Sequence, residues 1–230
     1  MYASCEVTSD MGESASRLAR DLGREAPPAG RPRGQLLFSD TAWGSVCAFV
    51  RGAFCEGAIE SNEPLGYGSL GEQVLGHDVS IIRRSSSLGD VDDEGLLMED
   101  VPLVDCGILC AYILPLQRSY QLSLPTAGGG EIGQDGRLQF EKQRVELVID
   151  RPRAVLRDTP CEILYIKPLS AEYQDLSMQA LLECRQGSQR FCCRGTLDIL
   201  RLLEDVRPTG HHAWPFACGV GIFETDQRPF

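Results

Sequence analysis

The sequence contains very little lysine and asparagine. Of its 22 lysines and arginines only Lys142 and Lys167 are lysines, and Asn62 is the only asparagine. Both amino acids have A-rich codons, so their scarcity indicates a GC-rich genome, such as that of a high-GC microbe or a DNA virus. This absence concerns the source of the protein and excludes no chemistry.

Short motifs that mark catalytic, metal or nucleotide sites are also missing. The sequence has no C-x-x-C pair, no H-E-x-x-H, no G-x-S-x-G and no P-loop. Gly66, Gly68 and Gly71 formally match G-x-G-x-x-G, but a polar segment precedes them and Gly76 interrupts the segment after them. The strand and helix that give this motif its meaning are therefore not predicted. We expect no catalytic site, no bound metal and no cofactor.

The chain has no hydrophobic run long enough to cross a membrane. Its longest nearly uncharged apolar run, residues 103–116, includes Asp105 and is shorter than the roughly 20 residues that a bilayer requires. The first thirty residues lack the positive and apolar regions of a secretory signal. Without such a signal, the ten cysteines are expected to be reduced and mostly buried. We expect an intracellular protein, cytoplasmic or nuclear.

The net charge of −11 argues against functions that depend on neutralising phosphate groups. Nucleic-acid binding draws its affinity from clustered lysine and arginine, which an acidic chain supplies poorly. With 43% hydrophobic residues, the composition is that of a globular protein. Other proteins, rather than nucleic acids, are therefore the expected partners.

The composition divides the chain into an arm and a folded region. Residues 1–34 are rich in Ser, Ala, Arg, Glu, Gly and Pro and predict a flexible N-terminal arm. Residues 35–230 carry the periodic apolar segments and predict a single β-rich globular domain. Within this domain, residues 83–100 predict a serine-rich and acidic loop.

That loop offers two candidate phosphorylation sites. Arg83 and Arg84 precede Ser86, as a basic-directed kinase requires, and Asp90 follows Ser87, as an acid-directed kinase requires. A phosphate would add about 1.5 to 2 negative charges at either serine. The alternative is a solvated loop without a regulatory role.

Apolar residues at a spacing of two indicate that most of the folded region is β-sheet. Residues 106–114 are apolar on both faces and predict a central covered strand. Asp135-Gly136 predicts a hairpin turn, and residues 178–193 predict a second hairpin. Further strands are predicted where apolar residues alternate, at residues 79–82, 120–124, 145–149, 163–165 and 214–222.

Two segments have the periodicity of helices instead. The second begins at Thr196 as N-cap and ends near Val206. Together with the strands, the two helices predict an α+β, β-rich fold, in which two or three helices cover an antiparallel or mixed, sandwich-like sheet. The first helix, capped by Ser39 or Asp40, has an apolar face formed by Trp43, Cys47, Val50 and Phe54.

Cysteine and histidine supply the candidates for a metal site or for thiol chemistry. Adjacent cysteines in a strand point to opposite faces, so Cys192 and Cys193 could not easily share one ion. Cys106, Cys193 or Cys218 could act as a nucleophile with a histidine, but no local motif marks any of them. The residues considered for a metal site are Cys184, Cys192, Cys193, His211 and His212.

Two short segments are similar to part of a known family. Residues 112–115, Y-I-L-P, and residues 145–151, V-E-L-V-I-D-R, resemble the strand-and-aspartate core of plant-virus movement proteins of the 30K type. The resemblance covers about forty residues. It implies a jelly-roll-like sandwich in a protein that binds nucleic acid.

The function expected from these observations is that of a non-enzymatic, intracellular interaction or structural protein. A viral accessory protein from a GC-rich genome, with residues 83–100 as a phosphorylatable surface, is one such protein. A thiol- or metal-dependent enzyme that uses the C-terminal cysteines and histidines is the first alternative. A viral movement-type protein is the second.

Overall fold

The fold is α+β and rich in strands, as the sequence predicts. A computed structural model describes residues 32, 34–60, 65–85, 89–140, 143–156, 160–219 and 222–225. It contains 44% strand and 20% helix, in mixed and antiparallel sheets with four helices in this described part. No helix among these residues is long and apolar enough to span a bilayer. The predicted N-terminal arm lies almost entirely outside the described residues.

The larger sheet is mixed and has seven strands in the order β11-β12-β1-β8-β9-β10-β13. Its strands are β1 (Gln35–Phe38), β8 (Cys161–Glu172), β9 (Ser177–Gln186), β10 (Gln189–Asp198), β11 (Arg207–His211), β12 (Trp214–Gly219) and β13 (Phe223–Thr225). β1 is parallel to β8 and antiparallel to β12. β9 and β10 form the hairpin that the sequence predicts at residues 178–193.

The smaller sheet is antiparallel and has four strands in the order β4-β3-β2-β7. The strands are β2 (Val79–Arg84), β3 (Val101–Asp105), β4 (Ile108–Leu109) and β7 (Arg144–Ile149). β7 is the last strand on one side of this sheet. A separate hairpin, with Gly136 at φ 73° in its turn as the sequence predicts, consists of β5 (Glu131–Ile132) and β6 (Leu138–Gln139).

The longest helix begins where the sequence predicts. Ser39 caps it, because its Oγ accepts the backbone N–H of Ala42 at 3.1 Å and donates to the carbonyl oxygen of Leu164 on β8 at 2.7 Å. The four helices are α1 (Asp40–Ala53), α2 (Glu56–Ile59), α3 (Leu116–Leu122) and α4 (Ile199–Asp205).

Helix α1 packs between the two sheets. Its apolar side, which includes Val46, Phe49 and Val50, is buried and contacts β8 of the larger sheet and β7 of the smaller sheet. Each such side chain stabilises the fold by about 1.5 to 3 kcal/mol when fully buried. Because one helix serves both sheets, their buried side chains form one continuous core.

The nearly buried side chain of Arg151 is a second connection between the two sheets. Arg151 follows β7 and forms a two-pronged ion pair with Asp78, which precedes β2. Its Nη1 also donates to the carbonyl oxygens of Leu203 at 2.7 Å and Val206 at 3.0 Å, at the end of α4. Because α4 packs on β9, β10 and β12, this guanidinium connects the smaller sheet to a helix of the larger one.

The predicted central strand at residues 106–114 is wrong. β3 ends at Asp105, and Cys106 and Gly107 form a tight turn with φ values of 46° and 82°. A Cβ atom at Gly107 would lie 2.3 Å from the carbonyl oxygen of Leu75, so glycine is required there. The apolar run is buried as a hairpin and the loop after it, rather than as one covered strand.

Two other predicted elements differ from the structure. The sequence predicts a strand at residues 120–124, but these residues lie largely in α3, which ends at Ser123 with φ 55°. The last helix begins after Asp198 rather than after Thr196, because β10 continues to Asp198 and the carboxylate of that residue accepts the N–H of Arg201 at 2.9 Å.

The serine-rich and acidic segment at residues 83–100 is partly buried. Arg83 has no exposed surface, and its guanidinium donates to the carbonyl oxygen of Ala127. Asp92 is also buried and organises the loop, because burying a carboxylate requires hydrogen-bond donors. Its oxygens accept the backbone N–H groups of Glu94, Leu96, Gly129 and Gly130.

We predict that Arg151→Ala lowers the free energy of unfolding by about 2 to 4 kcal/mol, because Asp78 and two carbonyl oxygens lose a charged donor. Urea unfolding of both proteins at pH 7 measures the change. Arg194→Ala, which removes an exposed arginine of β10, should change stability by less than about 0.5 kcal/mol. An equally small effect of Arg151→Ala would contradict this role.

The same ion pair should make stability depend on pH. The hydrogen bond from Arg151 holds the pKa of Asp78 below its ordinary value. The pair therefore stabilises the fold above about pH 4, and the stabilisation is lost as the pH falls through the folded-state pKa. In urea unfolding, the stability difference between wild type and Asp78→Asn should be larger at pH 5 than at pH 3. A difference that does not change with pH would contradict this assignment.

Candidate functional site

A groove of about 620 Å³ runs between α1 and β7. We call it the α1 groove. One wall is the exposed side of α1, and the other is the edge of β7, the last strand of the smaller sheet. The residues that characterise it are Asp40, Trp43, Gly44, Cys47, Ala48 and Arg51 of α1, residues 143–147, and Pro215 and Phe216 of β12.

One end of the α1 groove is aromatic. The rings of Trp43 and Phe216 stack with their centroids 4.1 Å apart and an interplanar angle of 27°. Phe38 meets the indole edge-on at 5.7 Å, so the stack is anchored in the core. Phe216 and Pro215 remain partly exposed, so this end offers an apolar surface to a bound group.

The middle of the groove is open because α1 carries small residues there. A Cβ atom added at Gly44 would meet no atom within 4 Å, and Ala48 is exposed. Cys47 is half-buried, and burial raises the pKa of its thiol to about 11, although the backbone of Leu147 and the charge of Arg144 lower it. Cys47 is therefore a neutral thiol that lines the groove and not a nucleophile.

The other end of the groove is basic. Arg51 donates to the carbonyl oxygen of Gln143 at 3.4 Å, and the exposed Arg144 forms no ion pair with any residue of the described ranges. Glu146 also lines this end, and its Oε2 lies 2.5 Å from Nε of Arg84, which pairs with Asp100 as well. Two arginines and one glutamate therefore line this end of the groove, in a chain of net charge −11.

A buried network fixes the basic end in place. The side chain of Gln143 donates to the carbonyl oxygen of Gly129, and the N–H of Gly129 donates to Asp92 at 2.7 Å. Gly129 has φ 90°, and a Cβ atom there would lie 2.4 Å from Gln143 Oε1. Only glycine permits this approach, so the loop at residues 127–130 supports the segment that Arg51 contacts.

A second, smaller cleft of about 520 Å³ lies beside β1 and β12. Its charged residues are Arg153, Asp205 and Arg207, and it also reaches the buried Cys218. The carboxylate of Asp205 already accepts the N–H of Gly219 at 2.5 Å. Burial raises the pKa of Cys218 well above its ordinary value, so this thiol is not reactive.

Three buried cysteines lie in a row across the larger sheet. The Sγ atoms of Cys184 on β9 and Cys193 on β10 are 3.9 Å apart. Cys184 also hydrogen-bonds to Cys161 on β8, and this bond lowers the pKa of Cys161. The hydrogen bonds to Cys161 and Cys193, followed by burial, raise the pKa of Cys184. The row is a packed part of the core.

Cys193 and Cys218 do not come together with His211. Four strands separate β10, which carries Cys193, from β11, which carries His211, so their backbones are roughly 24 Å apart. Cys218 is buried on β12, whereas His211 pairs with Trp214 at the far end of that strand, about 13 Å away. A general base must lie within about 3 Å of its nucleophile. These pairs cannot form a catalytic dyad.

The described side chains do not form a metal centre either. Among them, no three His, Cys, Asp or Glu side chains are close enough to one another to hold an ion. The nearest thiols, Cys184 and Cys193, are buried and leave no open position for water or substrate, which a catalytic zinc site requires. The three histidines are exposed on loops and the β11 end.

Comparison with protein families identifies the domain. The profile of the family described as PmbA/TldA metallopeptidase C-terminal domain matches residues 33–173, more than half of the 230-residue chain. The chain belongs to this family. The matched range includes α1 and β7, and therefore both walls of the α1 groove, whereas Pro215 and Phe216 lie beyond it.

Three solved structures have similar folds. TldE from Thermococcus kodakarensis aligns with a TM-score of 0.62 and 12% identity, over 94% of this chain and 55% of that one. A candidate modulator of a DNA gyrase from Thermotoga maritima aligns with a TM-score of 0.56 and 19% identity, over 94% and 55%. A similarly described protein from Bacteroides thetaiotaomicron gives 0.56 and 13%, over 92% and 50%.

The chain therefore spans about half the length of each of these solved proteins. Because the sequence identities are below 20%, the structural similarity shows only that the fold is shared. A search of curated proteins gave no significant match.

These findings overturn the function expected from the sequence. Membership of a metallopeptidase family contradicts the prediction of a non-enzymatic structural or viral accessory protein, and a nuclear location gains no support. The 30K movement-protein resemblance is also wrong, because residues 112–115 lie between β4 and α3 with only isolated bridges. The family does not support a phosphoprotein, and Ser86 and Ser87 lie outside the described residues.

Sequence reasoning found α1 and β7 but missed the groove between them. The periodicity places Trp43 and Cys47 on the buried face of a helix and residues 145–149 in an ordinary strand. The sequence feature that could have indicated the groove is the pair of small residues Gly44 and Ala48, one helical turn apart and close to Trp43. Small side chains at these positions leave part of the helix surface uncovered. No pattern in the sequence shows that Phe216 stacks on this helix.

We predict that Gly44→Ala stabilises the protein by about 0.5 to 1 kcal/mol, because a methyl group meets open space and alanine favours the helix interior. Thermal unfolding of both proteins measures the change. Gly52→Ala, in contrast, should not be stabilising, because a Cβ atom there would lie 2.3 Å from the hydroxyl of Tyr173. A destabilising effect of Gly44→Ala would contradict the presence of open space beside Gly44.

Proposed function

We propose that the chain binds an unfolded stretch of polypeptide in the α1 groove and presents it within a metallopeptidase-type protein. The observation that carries the proposal is an open groove of about 620 Å³ beside an aromatic stack, in a domain of a metallopeptidase family. Peptidases act on extended chains, and such chains need a long channel rather than a closed pocket.

The groups that line the groove suit a polypeptide. The ring stack of Trp43 and Phe216 can contact an apolar side chain, and the exposed Arg144 at the other end can contact an acidic one. α1 already binds the outward backbone groups of Gln143 and Leu147. The occupant would therefore lie over β7 and α1 rather than extend the smaller sheet as a new strand.

The family description implies a metal ion, but the described donors do not fit one. We derive no hydrolytic step from this part of the chain. In our proposal the domain holds and orients the polypeptide, and hydrolysis requires residues outside the described ranges or a second protein chain. The solved relatives are about twice as long as the part aligned here, so other residues accompany this fold in those proteins.

Two remaining expectations belong to the same proposal. We propose that residues 35–230 act as a single domain, with α1 as the support that both sheets share. We also propose a cytoplasmic location, for which the support is the set of free cysteines among the described residues. Fractionation of the native cells would test the second of these.

Blocking the groove tests the proposal. Gly44→Phe would place a ring in the open middle of the channel, so binding of a fluorescent, reduced and carboxymethylated protein should weaken by at least about tenfold. Fluorescence anisotropy of the full chain measures the affinity, and circular dichroism verifies that the variant folds.

Gly57→Phe is the matched control. Gly57 on α2 is also exposed and has no atom within 4 Å of an added Cβ, but it lies outside the groove. This variant should bind the unfolded protein as the wild type does. Equal affinity of all three proteins, or no binding by the wild type, would contradict the proposal.

A further inference from the structure

Two exposed aliphatic side chains lie opposite each other on a short hairpin between β2 and β3. Val91 and Leu97 pair in an isolated antiparallel bridge and are 65% and 57% exposed. Because opposite residues of an antiparallel pair point to the same side, the two side chains form one apolar surface. We call this pair the hairpin patch.

We propose that the hairpin patch binds a basic, amphipathic segment of a partner protein. The apolar side of such a segment would cover Val91 and Leu97, and its lysines and arginines would face the acidic residues around them. The proposal is independent of the α1 groove, because no residue of this hairpin lines that groove.

The hairpin holds the patch in a fixed position. The N–H of Asp92 donates to the carbonyl oxygen of Leu96 at 2.9 Å across the hairpin. The buried carboxylate of Asp92 accepts the N–H of Leu96 at 2.8 Å and that of Gly129 at 2.7 Å, so it ties the turn to the neighbouring loop. A surface that is ordered before binding loses little conformational entropy when a partner docks.

A third aliphatic side chain lies beside the turn of this hairpin. Ile132 of the β5–β6 hairpin is 59% exposed, and its N–H donates to the carboxylate of Asp93 at 2.5 Å. The N–H of Asp93 donates to the carbonyl oxygen of Gly130 at 3.1 Å, so the two hairpins stand side by side. Exposed aliphatic residues that cluster with polar residues around them are typical of protein interaction sites.

The charge around the hairpin patch selects the partner. Residues 89–100 contain six carboxylates and no basic residue. Of the two arginines nearby, Arg83 is buried and Arg84 pairs with both Asp100 and Glu146, so the local charge stays negative. A negative surface attracts lysine and arginine and repels nucleic acids and anionic lipids. Among the described side chains no three potential ligands lie close enough to hold a metal ion, so a cationic protein segment fits best.

A synthetic peptide tests the proposal. The probe is a capped, fluorescein-labelled peptide of about fourteen residues with Leu and Lys at helical spacing, and fluorescence anisotropy with the full chain measures its affinity. The Lys peptide should bind, and a peptide with Glu in place of Lys should not. Raising the NaCl concentration from about 50 to about 500 mM should weaken binding severalfold, because salt screens exposed charges.

Two variants of the protein test the apolar pair. Val91→Ser/Leu97→Ser should weaken binding of the Lys peptide at least about tenfold, because the two side chains no longer bury apolar surface. The matched control is Val155→Ser/Leu156→Ser, which changes two residues that are 84% and 45% exposed outside both hairpins. It should change the affinity less than about twofold. Circular dichroism verifies that both variants fold.

A third variant tests the charge. Asp90→Asn/Glu99→Gln alters two exposed carboxylates, so it tests the acidic surface even if the serine variant does not fold. It should weaken binding about threefold or more. Equal affinity of the Lys and Glu peptides, or unchanged affinity of both the serine and the amide variants, would overturn the inference, as would a wild type that binds neither peptide.

The remaining outcomes distinguish this surface from other occupants and from the α1 groove. Gly44→Phe should bind the Lys peptide as the wild type does. If Gly44→Phe alone weakens binding, the peptide lies in the α1 groove, which overturns this inference and leaves the proposed function intact. Sedimentation that shows a dimer only when Val91 and Leu97 are present would identify a second copy as the occupant and would also overturn the inference.

Discussion

The packing of α1 between the two sheets is the contact on which the rest of the structure depends. Val46, Phe49 and Val50 bury one side of the helix against β8 and β7, which belong to different sheets. Ser39 and Ser45 fix its direction through hydrogen bonds to β8. The helix cannot rotate to bury its other side, so that side remains as the wall of a groove.

The groove stays open because α1 carries small side chains along it. Gly44 and Ala48 leave room that larger residues would fill, and glycine in a helix interior costs about 1 kcal/mol relative to alanine. At the basic end, Arg51 is held through Gln143 and the buried loop around Gly129. A surface that carries such costs fits a binding role better than a purely structural one.

Local patterns in the sequence predicted much of the fold. The spacing of Trp43 and Val50 predicted α1, and alternation predicted β7 and the β9–β10 hairpin, because these elements each have one buried face. The pattern failed at residues 106–114, where both faces are apolar and only the positive φ of Cys106 and Gly107 distinguishes a hairpin from a strand.

The groove could not be predicted in the same way. Its walls come from residues 40–51, 143–147 and 215–216, which meet only in the folded chain. The function expected from the sequence was wrong for a related reason. The absence of short motifs argued against an enzyme, whereas the match to this family extends over 141 residues, 33–173. Among the described residues, no three potential metal ligands lie close together, so there was no metal-binding motif for the sequence to reveal.

Hydrogen–deuterium exchange of the full chain, with and without a saturating unfolded polypeptide, tests the central claim most directly. If the α1 groove holds the polypeptide, exchange should slow in residues 40–51 and 143–147 and remain unchanged on β10 and around Arg207. Protection confined to the cleft beside Arg207, or no protection anywhere, would contradict the account.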